Sequence, residues 1–381
     1  MARTMTVDSL YVAAVLGATI LVASMISVEI GLSVSVIEIV LGVVLGNTLS
    51  LSTPGWLVFL ATFGSVVLTF LAGAEVDPGE FRATWRGSVL MGGLSFAAPF
   101  VVALLACRYL FQWDWKAAQI GGIALSTTSL AVVYAVLVET GLNATTIGKQ
   151  IMSATFITDL GTVLALSLLF IHPNWWLLPF LGVSVALIVV MPRLDRWFFV
   201  RYGNRVIEPE IKGAFAALLI LMWLGAKAQS QAVLPAFILG LAVSRTFAAN
   251  LATQQRFRVI AFGLLTPFFF LRSGMNVSLP LVVANFGVMV VLLAVKLSAK
   301  SAAVYPMARR FARPHAAFTT LLMSTGLTFG TIASTYGLTA GIITEAEFSV
   351  LIAVVVITAV LPTAVAQRLF APTRTEPEHV P

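Results

Sequence analysis

Runs of about twenty apolar residues recur from one end of this chain to the other, and each is long enough to cross a bilayer as a helix. Little else is left open by that recurrence. Inside a bilayer every backbone N–H and C=O must be paired internally, so only helices and closed barrels can span. Barrel strands would read as short alternating segments, and the runs here are continuous. With 59% hydrophobic and only 10% charged residues, the composition fits no soluble globular protein. The reading is therefore an all-α polytopic membrane protein.

Thirteen candidate spans can be placed, at approximately 8–28, 34–51, 56–74, 87–110, 117–139, 149–170, 175–193, 211–228, 231–248, 257–275, 280–305, 315–337 and 346–368. The first run is too long for a cleaved leader and is read as a retained span. Lys and Arg set the orientation. With the N-terminus outside, sixteen fall on the inner side, and only Arg3, Arg108, Lys116 and Lys227 fall outside. Cytoplasmic loops carry that excess, so the reading is N-terminus out and C-terminus in. The pI near 9.9 is thus a topology signal, not a nucleic-acid patch. A single cysteine, Cys107, excludes disulfides within the chain, and the dispersed His172, His315 and His379 form no zinc-type set.

The span at 149–170 carries one ionisable residue in its apolar interior, Asp159. A carboxylate at that depth costs about 2.5–3.5 kcal/mol on insertion scales, so it needs a partner, a proton or a water-filled cavity. Thr155 lies one turn back on the same face and Thr158 is adjacent. Oxygen ligands of this kind suit a small hard cation, or a proton in its absence. The competing reading is a structural acid paired to a neighbouring helix.

The sequence repeats itself. Phe70–Asp77 resembles Leu271–Ser278, and Leu125–Thr128 resembles Met323–Gly326, at offsets of 201 and 198 residues. Seven spans separate each pair. Seven is odd, so the two copies must point in opposite directions, which is an inverted-topology repeat. Ser126, Thr127, Thr128 and Ser129 interrupt the fifth span, and Ser324, Thr325 and Gly326 interrupt the twelfth. Two discontinuous crossing helices are expected, exposing half-helix ends at the midplane. Small residues for close helix packing are the simpler alternative.

Further charges need partners. Lys296 lies deep in the eleventh span and is expected to pair with Asp159, either permanently or until a cation displaces it. Lys300, one turn on, is expected to snorkel toward Arg309 and Arg310. Glu75 and Arg272 come from matched repeat positions, and a pair between them is open. Asp77, Glu80 and Arg82 read as a solvated inner loop. Glu139 reads as a helix terminus, and Trp113, Trp115, Trp175 and Trp176 as interfacial anchors.

Five stretches resemble the monovalent cation:proton antiporter-2 family: Phe70–Pro78, Ala124–Ser129, Ala154–Leu160, Pro267–Gly274 and Ala294–Lys296. The family groups bacterial sodium/proton antiporters with Kef-type potassium/proton antiporters. The resemblance runs end to end. It implies the sodium/proton antiporter fold, a homodimer, dimerisation helices at approximately 8–51 and 175–248, core helices at approximately 56–170 and 257–368, and an elevator motion of the core. It also implies a bacterial-type inner membrane, a monovalent cation and a proton competing at Asp159, an intramembrane lysine at Lys296, and no cofactor. Two positions depart from the family. Thr158 stands where relatives have an acid or Gln, and Thr325-Gly326-Leu327 stands where they have Arg-Gly-Glu. Residues 371–381 read as a short polar tail, with no soluble regulatory domain following the single transporter unit 1–370.

The expected function is sodium or potassium exchange for protons by alternating access. A sodium-coupled organic solute symporter of related fold is the alternative, but no pocket groups for a solute are identifiable. A membrane sensor or enzyme is the third reading, and no nucleophile–base pair or metal set supports it.

Overall fold

The computed structural model describes residues 2–370 apart from 50, 52, 77, 143–144, 171–173, 203–207, 231 and 314. The tail 371–381, Asp77, His172 and His379 lie outside the described residues, as do the side chains of Glu80, Arg82 and Glu139. The described chain is helical throughout. In order, its helices are α1 (Ala2–Ile30), α2 (Val34–Thr48), α3 (Gly55–Ala74), α4 (Pro78–Leu105), α5 (Trp115–Ser126), α6 (Leu130–Glu139), α7 (Thr146–Leu169), α8 (Leu177–Tyr202) and α9 (Pro209–Lys227). They continue with α10 (Val233–Ala249), α11 (Leu251–Ile260), α12 (Thr266–Met275), α13 (Leu279–Ala284), α14 (Phe286–Phe311), α15 (Ala316–Met323), α16 (Thr328–Thr339) and α17 (Glu345–Leu369). Single π turns at Ala106–Leu110 and Ala261–Leu265 follow α4 and join α11 to α12. Among the described residues, nine helical stretches are long and apolar enough to cross a membrane, and Val34–Thr48, Leu177–Met191 and Val233–Ala249 are shorter apolar helices. The protein is a multi-pass membrane protein.

Several hydroxyls within these helices are satisfied locally. Thr62, Thr69, Thr155, Thr162 and Ser273 each donate to the carbonyl one turn back at 2.8–3.0 Å. This keeps hydroxyls compatible with an apolar surround. The start of α17 is fixed by a reciprocal cap: Glu347 N donates to Thr344 Oγ1 at 3.2 Å, and Thr344 N donates to Glu347 Oε2 at 2.7 Å.

The chain divides into two compact units: Met1–Met25, Glu38–Pro78 and Val163–Met275 form one, and Ile26–Ile37, Gly79–Thr162 and Asn276–Pro381 form the other. In the first unit α3 meets α10 backbone to backbone. A β-carbon at Gly73 would overlap the Phe237 carbonyl, and one at Gly240 would overlap the Phe70 carbonyl. Helices α2 and α12 meet in the same way, with Gly42 against the Leu271 carbonyl and Gly274 against that of Ile39. Gly42 and Gly240 are 198 residues apart, Gly73 and Gly274 are 201 apart, and Ile39 and Phe237 are again 198 apart. These are the offsets of the sequence repeat.

The same contacts group the helices in their own way. The helices around 56–74 and 257–275 belong to the first unit. Glycine-mediated backbone contact holds α3 to α10 and α12 to α2, so they group with the helices they touch. The second unit contains α4 to most of α7 and α13 to α17. Its apolar centre includes Met91, Val133, Leu137, Ile151, Ala154, Val304, Phe318, Leu322 and Met323.

Candidate functional site

The second unit holds two helix interruptions in contact. Helix α5 ends at Ser126, Thr127 is extended (φ −66°, ψ 153°), and α6 begins at Leu130. Helix α15 ends at Met323, and α16 begins at Thr328. Thr128 Oγ1 donates to the Met323 carbonyl at 2.9 Å, and Ser129 N donates to Thr325 Oγ1 at 3.4 Å. The last carbonyls of each half-helix are covered by neighbouring hydroxyls: Ser126 on Ile123, Thr127 on Ala124, Ser324 on Thr320 and Thr325 on Leu322, at 2.7–3.0 Å. All seven polar or small residues named from the sequence at the two breaks are thus brought together, and the six with side chains are buried.

Asp159 lies on α7 and is 1% exposed. Close contact between α4 and α7 sets its position. Gly92 admits the Ala154 carbonyl, and Thr158 Oγ1 donates to Gly92 O at 3.3 Å and to Ala154 O at 3.1 Å. Thr155 Oγ1 donates to Ile151 O at 2.9 Å and touches Met323 Sδ at 3.5 Å, which ties the acid's helix to the end of α15. The threonine protons are therefore used by the backbone, and their lone pairs remain as acceptors. Asp159 Oδ1 has no hydrogen-bond partner among the described residues. An unpaired carboxylate oxygen beside hydroxyl oxygens can take up either a proton or a hard cation.

The lysines differ from expectation. Lys300 does not snorkel; it is fully buried, and its amine donates to Ser95 Oγ at 2.8 Å and to Thr128 Oγ1 at 2.9 Å. Of the two amines it is the one coupled electrostatically to Asp159. Lys296 does not pair with Asp159. Its amine is also fully buried and donates to Thr358 Oγ1 at 3.0 Å. Lys296 and Lys300 are one turn apart on α14, and Ser95 and Thr128 supply the polar contacts that keep Lys300 inside. Among the described residues, no cation lies within ion-pair distance of the Asp159 carboxylate.

In the first unit, Glu75 pairs with Arg258, Nε to Oε1 at 2.5 Å, and not with Arg272. Glu75 caps the end of α3, and Arg258 comes from α11, about two turns after the Asn250 cap. Arg272 is half-buried, and its Nε has no hydrogen-bond partner among the described residues. Sequence reasoning also missed Ser95, Thr358 and Glu38. Glu38 is an acid only 2% exposed within the apolar helix α2, and the rule that singles out Asp159 applies to it equally.

The probable Na(+)/H(+) antiporter 3 of Methanocaldococcus jannaschii is 26% identical over 324 residues, which cover 82% of this chain and 83% of that protein. The putative Na(+)/H(+) antiporter YjbQ of Bacillus subtilis is 26% identical over 66% of this chain and 44% of its own length. The glutathione-regulated potassium-efflux system protein of Haemophilus influenzae is 26% identical over 86% of this chain and 55% of its own length. The chain thus spans most of the first relative and about half of the other two. Among solved structures, the sodium proton antiporter MjNhaP1 from M. jannaschii at pH 8 superposes with a TM-score of 0.71, at 12% identity, over 96% of this chain and all of that one. That similarity shows a shared fold. The sequence also matches the family described as sodium/hydrogen exchanger, transmembrane, from residue 13 to residue 371. Since that match takes in nearly every residue, the chain belongs to the transmembrane sodium/hydrogen exchanger family.

Proposed function

We propose that the protein is a secondary-active monovalent cation/proton antiporter, exchanging sodium or potassium for protons by alternating access at Asp159. The observation that carries this reading is the buried Asp159 carboxylate, with one oxygen unpaired, held beside two interrupted helices and a lysine. The family is one of transporters, and the relatives above are described as sodium/proton antiporters and a potassium-efflux protein. None of the relatives named above is described as a symporter.

In this reading Thr155 and Thr158 lend oxygen lone pairs to the cation. Ser126, Thr127, Thr128 and Ser129, with Ser324, Thr325 and Gly326, shape the midplane crossing. Lys300, rather than Lys296, is the amine that answers the Asp159 charge. One carboxylate alternating between one proton and one monovalent cation moves no net charge.

Among the described residues, the nine long stretches, the three shorter apolar helices, and α5 with α6 taken as one interrupted crossing are consistent with the thirteen crossings of this reading. The glycine contacts at matching offsets support an inverted repeat. The six crossings of the second unit would form the mobile core of an elevator, and a homodimer would hold the rest fixed. The excess of Lys and Arg supports an N-terminus outside, and the family resemblance supports a bacterial-type inner membrane.

The test is exchange in proteoliposomes with sodium, potassium, lithium and rubidium in turn, on the native protein and on Asp159→Asn. The native protein should acidify or alkalinise the lumen on cation addition alone, and Asp159→Asn should not. Exchange retained by folded Asp159→Asn protein rejects the reading.

A further inference from the structure

Helix α11 supplies an arginine to each of two acids in the first unit. Arg256 pairs with Glu208, just before α9, and Arg258 pairs with Glu75, just after α3. Glu210, in the first turn of α9, is answered differently. It is 6% exposed, and neither of its carboxylate oxygens has a hydrogen-bond partner among the described residues. No described lysine or arginine lies within ion-pair distance of it.

Glu210 lines a cavity of about 10 Å³, and the polar group that α11 presents there is Thr253. Thr253 is 3% exposed, and its hydroxyl also has no partner among the described residues. Its backbone is held by the helix cap, since Thr253 N donates to Asn250 Oδ1 at 3.4 Å. Much of the remaining wall is aromatic. Phe70, Phe247 and Phe257 border the cavity and pack on one another with ring centroids 5.3–5.9 Å apart. Two oxygen-bearing side chains therefore face one space without reaching each other, and that space takes a single water-sized guest.

The chemistry of the two groups selects the guest. An unpaired carboxylate among phenyl rings is costly to the fold. A water would supply hydrogen bonds and leave the charge unanswered. A proton would answer the charge and leave the Thr253 hydroxyl without a partner. A monovalent cation answers both, because carboxylate and hydroxyl oxygens are hard ligands. Calcium takes about six to eight oxygens, and magnesium keeps several waters for which this cavity has no room.

We infer that Glu210 and Thr253 form a binding site for one resident alkali cation in the first unit, which does for Glu210 what Arg256 and Arg258 do for the other two acids. The ion ties the start of α9 to the start of α11. It is not the cargo, since Asp159 and both interrupted helices belong to the other unit. The site stands whether or not Asp159 is the exchange site.

The test uses the full-length protein carrying Asp159→Asn, which takes the other buried carboxylate out of the measurement. With ionic strength held constant by N-methyl-D-glucamine chloride, sodium, potassium and rubidium are added in turn. At least one should raise the melting temperature by roughly 2–5 °C along a saturating curve. Adding Glu210→Gln should abolish that rise, and adding Thr253→Val instead should increase the half-saturating concentration about tenfold. A flat response in Asp159→Asn protein, or a rise that survives Glu210→Gln, overturns the inference and leaves a proton or a water as the guest. Crystals soaked in thallium(I) should place that ion against Glu210, and no ion there overturns the inference as well. Should Glu210→Gln fail to fold, the thallium position and the Thr253→Val shift still decide. In the native background Glu210→Gln should keep the KM for the exchanged cation within about twofold. Loss of exchange in folded Glu210→Gln protein would put Glu210 on the transport path and overturn the resident role. Exchange by Asp159→Asn protein would reject the function proposed above and leave this titration readable.

Discussion

Lys300 donates to Thr128 Oγ1 at 2.9 Å, and Thr128 donates through the same oxygen to the Met323 carbonyl at 2.9 Å. A buried amine, the first helix break and the end of α15 are therefore one chain of hydrogen bonds. The lysine that acts on Asp159 is also the one that holds the two interruptions in register.

Replacing Lys300 by Met removes a charged hydrogen-bond donor from Ser95 and Thr128. Such bonds contribute about 1.5–3 kcal/mol each, so turnover should fall by about 10- to 100-fold. Lys300→Arg, which can still donate to both hydroxyls, should recover part of that turnover. Lumenal pH recorded with a fluorescent dye across a pH series checks both.

Competition at one carboxylate gives a slope that can be measured. On the acidic limb, each unit of pH lowered should raise the apparent KM for the cation about tenfold with maximal rate unchanged, because proton and cation exclude each other. A cation titration at five pH values reads this directly. A maximal rate that falls with pH at saturating cation would show that the two do not share Asp159.

The spans and their order were legible because apolar runs of that length have no other fold. Asp159 was legible because a charge is costly there. What separated Lys296 from Lys300 was not. They are four residues apart on one face of α14, and only their partners on other helices, Thr358 for one and Ser95 with Thr128 for the other, decide which amine faces the acid. Glu75 and Arg258 are 183 residues apart with no shared pattern, so their pairing is visible only once the fold brings the end of α3 to the Arg258 side chain. Unit membership of α3 and α12 was hidden for a related reason. Gly42, Gly73, Gly240 and Gly274 look like ordinary small residues until a carbonyl is seen against each of them. Glu38 was legible by the rule that found Asp159 and was passed over.

Those glycines give a paired prediction. Gly73→Leu and Gly274→Leu occupy equivalent places in the two helix contacts, and each forces backbones apart. Overpacking of that kind costs about 1–3 kcal/mol or more, so each should lower the melting temperature in detergent by several degrees. Gly93→Leu, with open space around its β-position, should leave it nearly unchanged.

The Glu75–Arg258 pair is partly exposed, with side-chain exposures of 19% and 35%, so solvent screens it and its worth is at the low end, about 0.5–1 kcal/mol. Glu75→Gln and Arg258→Gln should each destabilise slightly, and the double variant should be no worse than either alone. Reversing both charges should restore most of the loss. Arg272→Gln should show no coupling to Glu75, which separates the two possible partners by thermal unfolding.

Glu38 tests whether burial of an acid is enough to make it an exchange site. It is 2% exposed in α2 and makes no hydrogen bond or ion pair with any other described residue. Asp159 differs in what surrounds it: two helix breaks, threonine oxygens and a lysine whose charge reaches it. Glu38 has no such set, and its unit holds neither break. A buried acid without partners is a net cost to the fold, and a neutral group of similar shape removes that cost. Glu38→Gln should therefore raise the melting temperature and retain exchange within about twofold of the native rate, with the same pH of half-maximal exchange. Loss of exchange in well-folded Glu38→Gln protein, measured beside Asp159→Asn, would mean that a second acid carries protons and that one proton per cation is wrong.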